Sequence, residues 1–354
     1  MSGQSPAAPR FRVVQATRAS RVAAIGGLVL IAGLASLPAW GDAGTMNLLT
    51  EFFALLAMAE MWNLLAGYAG LVSIGQQAFI GLGAYGLYTF ADLAGLHPLL
   101  AVVVTAAGVG LIALVTSFFA FRLEGGYFAI GTWVIAEVFR LLIVSNKAVG
   151  AGTGVSIRSL AQFGPEGRIA ITYVLALVIG FGAVAVCALI MRSRLGLSLR
   201  AIRDSDIAAR SLGVDVFRAK VAVYLIAAVG SGIAGSVMYM NLLRIQPTAA
   251  FCVGWTAWMI FIVIIGGLGR IEGPIVGTVV FIGLRELLGD FGSLYLIVLG
   301  ALAVGITILA PRGLWGLIED RSAVSLFGIQ RRLVAPARTD EARSPDEAGT
   351  SEVE

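Results

Sequence analysis

Several groups of residues in this chain have types and spacings that could do chemistry. Glu60, Asn63 and Gly67 fall at i, i+3 and i+7, which is one face of a helix, inside an otherwise apolar run. Just beyond, Gly67, Gly70 and Gly75 interleave with Ser73, Gln76 and Gln77. Glycines at that density let the backbone leave the helix, which would present amides and carbonyls beside two Gln side chains. Inside a membrane such backbone survives only where it is buried in protein or lines a wet cavity, and broken helices often form solute sites. Close helix packing through small residues explains the same glycines. Glu137 and Arg140, at i and i+3, can neutralise each other or meet a charged solute.

A fourth stretch, Arg192 to Lys220, is polar and patterned. Ser205 or Asp204 can cap a short helix and Gly213 can end it. Between them lie the small Ala208 and Ala209, flanked by Arg203, Asp204, Asp206 and Arg210. Such a knob fits a water-facing cleft of another protein. A basic loop anchoring two membrane helices is the plainer reading of the same residues.

Catalysis is poorly supported. One His and two Cys, Cys187 and Cys252, supply no metal-ligand spacing and no nucleophile–base set. The two lysines, Lys147 and Lys220, stand in no Gly-Lys-Ser/Thr context, so ATP has no phosphate loop to bind. The expectation is a chain with no catalytic residues, no metal and no cofactor of its own.

The elements that must position these residues are membrane helices. The chain is 58% hydrophobic and 13% charged, with 45 Gly and mean hydropathy +0.90. Soluble domains are about 25% charged. Stretches near the 20 or so residues that cross about 30 Å of hydrocarbon recur along the sequence. Ten are expected: 22–40, 47–66, 74–91, 99–121, 126–145, 169–191, 220–243, 254–269, 273–289 and 293–310. Residues 67–75 read as an unwound entry to the third. Residues 1–21 form a polar leader, 22–318 the membrane domain with the 192–219 loop, and 319–354 a disordered polar tail. The first stretch reads as an uncleaved helix rather than a signal peptide.

Net charge is +4. The basic residues flank apolar runs, which argues for membrane topology and against nucleic acid. With the N-terminus inside, the inner side holds the leader's four Arg, Arg122, the seven basic residues from Arg192 to Lys220, Arg270, and those from Arg312 to Arg343. The outer side holds only Lys147, Arg158, Arg168 and Arg244. That asymmetry places both termini and the 192–219 loop in the cytoplasm.

The 192–219 loop resembles the coupling loop of ABC importer permeases, whose pattern is Glu-Ala-Ala, three residues, then Gly. Here Ile207-Ala208-Ala209 precedes Gly213, with Ile in the place of Glu. RAIRDSDIAARSLGV is similar to the form in the branched-chain amino-acid permease family. Residues 67–85, 122–140, 263–277 and 310–316 resemble further segments of the LivM-like half of that family, in order, so the likeness runs from about residue 45 to 318. Gln76-Gln77 depart from it, since many relatives carry His with a small residue there.

The resemblance implies an all-α integral membrane protein with an ABC importer permease fold, about ten helices, some broken or Gly-rich. It implies a homologous second permease subunit, two cytoplasmic ATP-binding subunits that hold the ATP, a periplasmic solute-binding protein, and a bacterial inner membrane location. The solute would be a branched-chain or related amino acid, with urea, amides or sugars as alternatives. A different class, an ion-coupled secondary transporter using Glu60 or Glu137, would have no need of the cytoplasmic knob. A membrane scaffold without transport would have no need of polar residues in unwound helices.

Overall fold

The computed structural model describes residues 12–14, 18–289, 294–322 and 332–334. Apart from two very short strand pairings, the regular structure is helical. α1 (Arg18–Ala35) begins ahead of the expected first span at 22 and takes in Arg18 and Arg21. α2 (Ala43–Asn63) starts at Asp42, whose carboxylate accepts from Thr45 N (2.9 Å) and Thr45 Oγ1 (2.6 Å). Those bonds, the hydroxyl's first, hold the Asp42 carboxyl below the usual carboxylate range.

There follow α3 (Gln77–Tyr88), α4 (Pro98–Ala120), α5 (Gly126–Ser145) and α6 (Gly164–Arg192). Two short helices, α7 (Arg194–Asp204) and α8 (Asp206–Ser211), precede α9 (Val216–Leu242). The chain closes with α10 (Pro247–Ala250), α11 (Val253–Gly266), α12 (Glu272–Leu288), α13 (Leu294–Leu309) and α14 (Gly313–Ser322). α14 runs into the expected tail. Residues 323–331 and 335–354 lie outside the described residues.

Among the described residues, six helical stretches are long and apolar enough to cross a membrane. They are Ala43–Tyr68, Pro98–Ala120, Gly126–Ser145, Ser159–Arg192, Val216–Leu242 and Pro247–Gly266. Leu296–Leu309 with Gly313–Glu319, bent by 42°, makes a seventh if taken as one span. The expectation of about ten full spans is therefore approximate. The 74–91 stretch is helical from Gln77, as the 12-residue α3 continued by a π turn at Thr89–Leu93, and falls short of a full span because residues 74–76 ahead of it are not helical. The 273–289 stretch yields the 17-residue α12, and near the start Val29–Ala39 is a shorter apolar helix.

α2 lies at the centre, along α6 and α9, with α11 and α12 beside it, while α9 also carries α3 and α4. These faces approach closely because glycines line them. A Cβ on Gly83 of α3 would run into the Gly232 carbonyl of α9, and one on Gly266 into the Gly273 carbonyl where α11 meets α12. Ser236 Oγ crosses the α3–α9 seam to the Gly83 carbonyl at 2.9 Å. α9 joins two ends of the bundle: α8 stands at its start, and Arg244–Ile245 pairs with Val155–Ser156 past its finish. At that far end Asp92 accepts from Arg158 N (2.6 Å), Ser159 N (3.0 Å) and Ser159 Oγ (2.9 Å).

Candidate functional site: a broken helix and a terminal knob

The break begins at the end of α2. Residues Leu64–Tyr68 form a π-helical turn, Gly70 takes φ +70, and the chain stays non-helical until Gln77 opens α3. Tertiary contacts hold it in that shape. Trp62 Nε1 donates to the Ser73 carbonyl (2.9 Å), and Thr132 Oγ1 of α5 accepts from Ile74 N (3.2 Å). Gly75 passes so close to Thr132 that a Cβ there would overlap the Thr132 carbonyl. Unpaired backbone in hydrocarbon costs several kcal/mol per group, so each of these contacts stabilises the break.

At the top of the break Gln76 Nε2 donates to Ser231 Oγ (3.2 Å), near the middle of α9. Gln77 Oε1 accepts from the Thr256 hydroxyl of α11. Ser73, Gln76 and Gln77 are all buried. The result is a polar layer drawn from α3, α9 and α11 partway along the bundle. In this conformation it is sealed by protein. A cavity of about 520 Å³ between α2, α6 and α9 is lined by Ala57, Met61, Val178, Ile226 and Gly230 among others, an apolar wall unsuited to a charged amino acid. A polar cleft of about 700 Å³ opens at the far end around Asp92, Ser156, Arg158 and Ser159.

Glu60, Asn63 and Gly67 do not join that layer. Asn63 is spent at the α7–α8 end, where its Oδ1 accepts from Gly269 N (2.8 Å) and its Nδ2 donates to the Arg270 carbonyl (2.9 Å). Gly67 gives its carbonyl to Arg203. Glu60 is fully buried, and its carboxylate oxygens have no hydrogen-bond partner. The expected solute path therefore divides into a mid-bundle set, Ser73, Gln76 and Gln77, and a terminal set, Glu60, Asn63 and Gly67. The π turn after Asn63 is where the two sets part.

The knob is α7–α8. Ser205 caps α8, its Oγ accepting from Ala208 N at 3.3 Å, and Gly213 leaves the helix at φ +81. Leu199, Ile202 and Ala209 face inward and are buried. Asp206 pairs with Lys220 at the start of α9 and so fastens the knob to the bundle. Asp204 and Arg210 remain exposed. Outward stand Ile207, 80% exposed, and Leu212, 79% exposed. Two large aliphatic side chains held outward on a short capped helix suit burial against another surface.

A family model described as "Branched-chain amino acid transport system / permease component" matches residues 44–307, which takes in both the break and the knob. The chain belongs to this family. Two curated relatives are both called "High-affinity branched-chain amino acid transport system permease protein LivM". The one from Salmonella typhimurium is 28% identical over 81% of this chain and 74% of its own length, and the one from Escherichia coli is 27% identical over the same shares. No solved structure gives a significant match.

In this permease Arg140 and Arg285, which lie within helices, each pair with a carboxylate of the same chain, whereas the Glu60 carboxylate has no hydrogen-bond partner. Arg140 Nε donates to both Glu137 oxygens at 2.9 Å, on the outward part of α5. Arg285 of α12 meets Glu51 of α2 in a two-pronged pair, with Glu286 3.6 Å away. Arg285 is thus a tie between α12 and α2. Reading by sequence missed Thr132, Ser231 and Thr256, the hydroxyls that anchor the break. Their one signal is a lone hydroxyl inside an apolar run. It also gave no weight to the outward side chains of Ile207 and Leu212. Of the residues expected to meet a partner, Ala209 is buried, Asp206 pairs with Lys220 and Arg203 bonds Gly67, while Asp204, Ala208 and Arg210 are exposed.

Proposed function

We infer that this permease is the membrane-spanning subunit of an ABC importer that moves branched-chain amino acids across the bacterial inner membrane. It works with a homologous second permease subunit, two cytoplasmic ATP-binding subunits and a periplasmic solute-binding protein. The observation that carries this reading is the α7–α8 knob with Ile207 and Leu212 held outward. Burying those side chains in a groove of the ATP-binding subunit stabilises the complex at about 25 cal/mol per Å² of apolar surface removed from water. Exposed Asp204 and Arg210 set orientation more than affinity.

The concentration of basic residues at the knob end and the C-terminal end supports a cytoplasmic knob and cytoplasmic termini. The far end, with its polar cleft at Asp92 and Arg158, then faces the periplasm and the solute-binding protein. Solute crosses past the polar layer of Ser73, Gln76 and Gln77 once ATP-driven motion opens it. Lipid surrounds the remaining apolar surface.

The test is uptake by the full complex in proteoliposomes. Leucine, isoleucine or valine uptake should require ATP inside the lumen with the ATP-binding subunits, and solute-binding protein on the other side. Uptake by the permease chain alone, driven by a proton or sodium gradient, would replace this reading with a secondary transporter.

A further inference from the structure

We propose that Arg203 ties the knob to the break between α2 and α3, so that displacement of α7–α8 is transmitted to the Gln76–Gln77 layer. The proposal rests on the reading of the knob as the docking element for the ATP-binding subunit. Arg203 stands two residues before the cap of α8, at the end of α7. Its Nη1 donates back to the Gly67 carbonyl in the π turn. That carbonyl is free for a specific reason. In a continuing α-helix the amide of Leu71 would bond Gly67, but it bonds the Leu65 carbonyl instead at 3.0 Å. The break creates an orphan acceptor, and Arg203 fills it.

Arg203 is exposed overall, and on its inward side its side chain lies against two glycines. A Cβ on Gly70 would sit 3.5 Å from Arg203 Cα and 3.6 Å from its Cγ. A Cβ on Gly269 would sit 2.8 Å from Nη1 and 3.0 Å from the Gly67 carbonyl. Gly70 and Gly269 both take positive φ, +70 and +75, which other residues resist. Asn63 fixes Gly269 in turn by holding Gly269 N and the Arg270 carbonyl. One guanidinium therefore sits where α7, the end of α2 and the α11–α12 turn converge. From Gly70 the chain runs without helix to Gln76, and hydrogen bonds from Trp62 to Ser73, from Ile74 to Thr132 and from Gln76 to Ser231 hold that stretch to its neighbours, so a displacement at Gly67 acts on a tethered segment.

Arg203 is a positioning residue in this scheme, because it touches neither solute nor ATP. Arginine suits that role because a planar fork of donors on a long stem holds a carbonyl in one orientation, whereas an ammonium is a point donor.

The experiment measures ATP hydrolysed per leucine imported by the complete complex in proteoliposomes. Arg203→Ala should leave the ATP-binding subunits bound and hydrolysis running, while the ratio rises about tenfold, the scale of one lost hydrogen bond from a charged group. Arg203→Lys should recover part of the coupling. Arg218→Ala, an exposed position whose ion pair is to the neighbouring Asp215, should match the unmutated ratio. If Arg203→Ala fails to accumulate, Gly269→Ala serves instead, because it keeps the Arg and blocks the guanidinium's seat. An unchanged ratio in the variant measured overturns the proposal. So does loss of the ATP-binding subunits from purified Arg203→Ala complex, which would make Arg203 a docking residue. If the unmutated complex imports nothing in response to ATP, the importer reading itself fails and takes this proposal with it, a result separate from any variant.

Discussion

α2 and α5 are both apolar and both long enough to span a membrane, yet the chain itself buries most of Ala43–Tyr68, which holds α2, and little of α5: 78% against 17% of the apolar stretch of each. The polar residues follow suit. Asn63 in α2 is satisfied by the α11–α12 turn. Glu137 and Arg140 in α5 satisfy each other, and their side chains remain 46% and 25% exposed. The difference separates the work of the two helices. α2 is packed like a protein core, so its neighbours are fixed by this chain. α5 meets surroundings that come from outside it, lipid or another subunit, and carries its own counter-charge for that purpose.

The comparison makes its largest prediction at the seams of the inner bundle. Gly83→Leu should push α3 off α9, because the first added atom already meets the Gly232 carbonyl. The cost should reach about 3 kcal/mol or more, read as loss of monodisperse protein on detergent extraction. Val134→Leu on the exposed face of α5 should change stability by less than about 0.5 kcal/mol. Equal damage from both would erase the distinction.

Next comes the α5 pair. Arg140→Leu strands Glu137 in an apolar setting, at a cost of about 2.5–3.5 kcal/mol for a charge at the helix centre. Glu137→Gln combined with Arg140→Leu should recover most of the lost membrane accumulation. If the double variant accumulates no better than the single, the pair is not what keeps α5 tolerable.

The polar layer should respond more mildly. Gln77→Leu leaves the Thr256 hydroxyl without its acceptor, worth about 1–3 kcal/mol. The complex should still assemble while uptake falls. Uptake kinetics identical to the unmutated protein would return this layer to plain packing. The smallest effect on stability belongs to the knob. Ile207→Ala and Leu212→Ala should leave thermal unfolding of the isolated chain within about 0.5 kcal/mol, since neither side chain is covered. Their effect should appear only as reduced recovery of ATP-binding subunits in pull-down.

Much of this arrangement is legible before any coordinates. Apolar run length marks the long helices, and Ser205 and Gly213 mark the limits of α8 because capping and left-handed exit are local chemistry. The glycines at 67, 70 and 75 flag the break. The extent of the break is not local. Hydropathy sums over a window and is blind to where helical hydrogen bonds stop, so the unwound stretch expected at 67–75 is found at 70–76 and the helix begins at Gln77 rather than at 74. What stops them is Trp62, Thr132 and the close pass at Gly75, all of them contacts with distant or neighbouring elements. Direction is likewise set by packing. Ala209 turns in and Ala208 and Ile207 out because α8 lies against the start of α9, and composition alone does not tell the two alanines apart. Arg203 is the clearest instance, since its acceptor exists only because α2 ends in a π turn.

The most direct test of the knob as the docking element is solute-stimulated ATP hydrolysis by the reconstituted complex carrying Ile207→Asp and Leu212→Asp together. Docking through this surface predicts that stimulation and uptake both collapse, while the permease still inserts and folds. Stimulation and uptake at the unmutated level would contradict it, and would move the coupling element elsewhere in the chain.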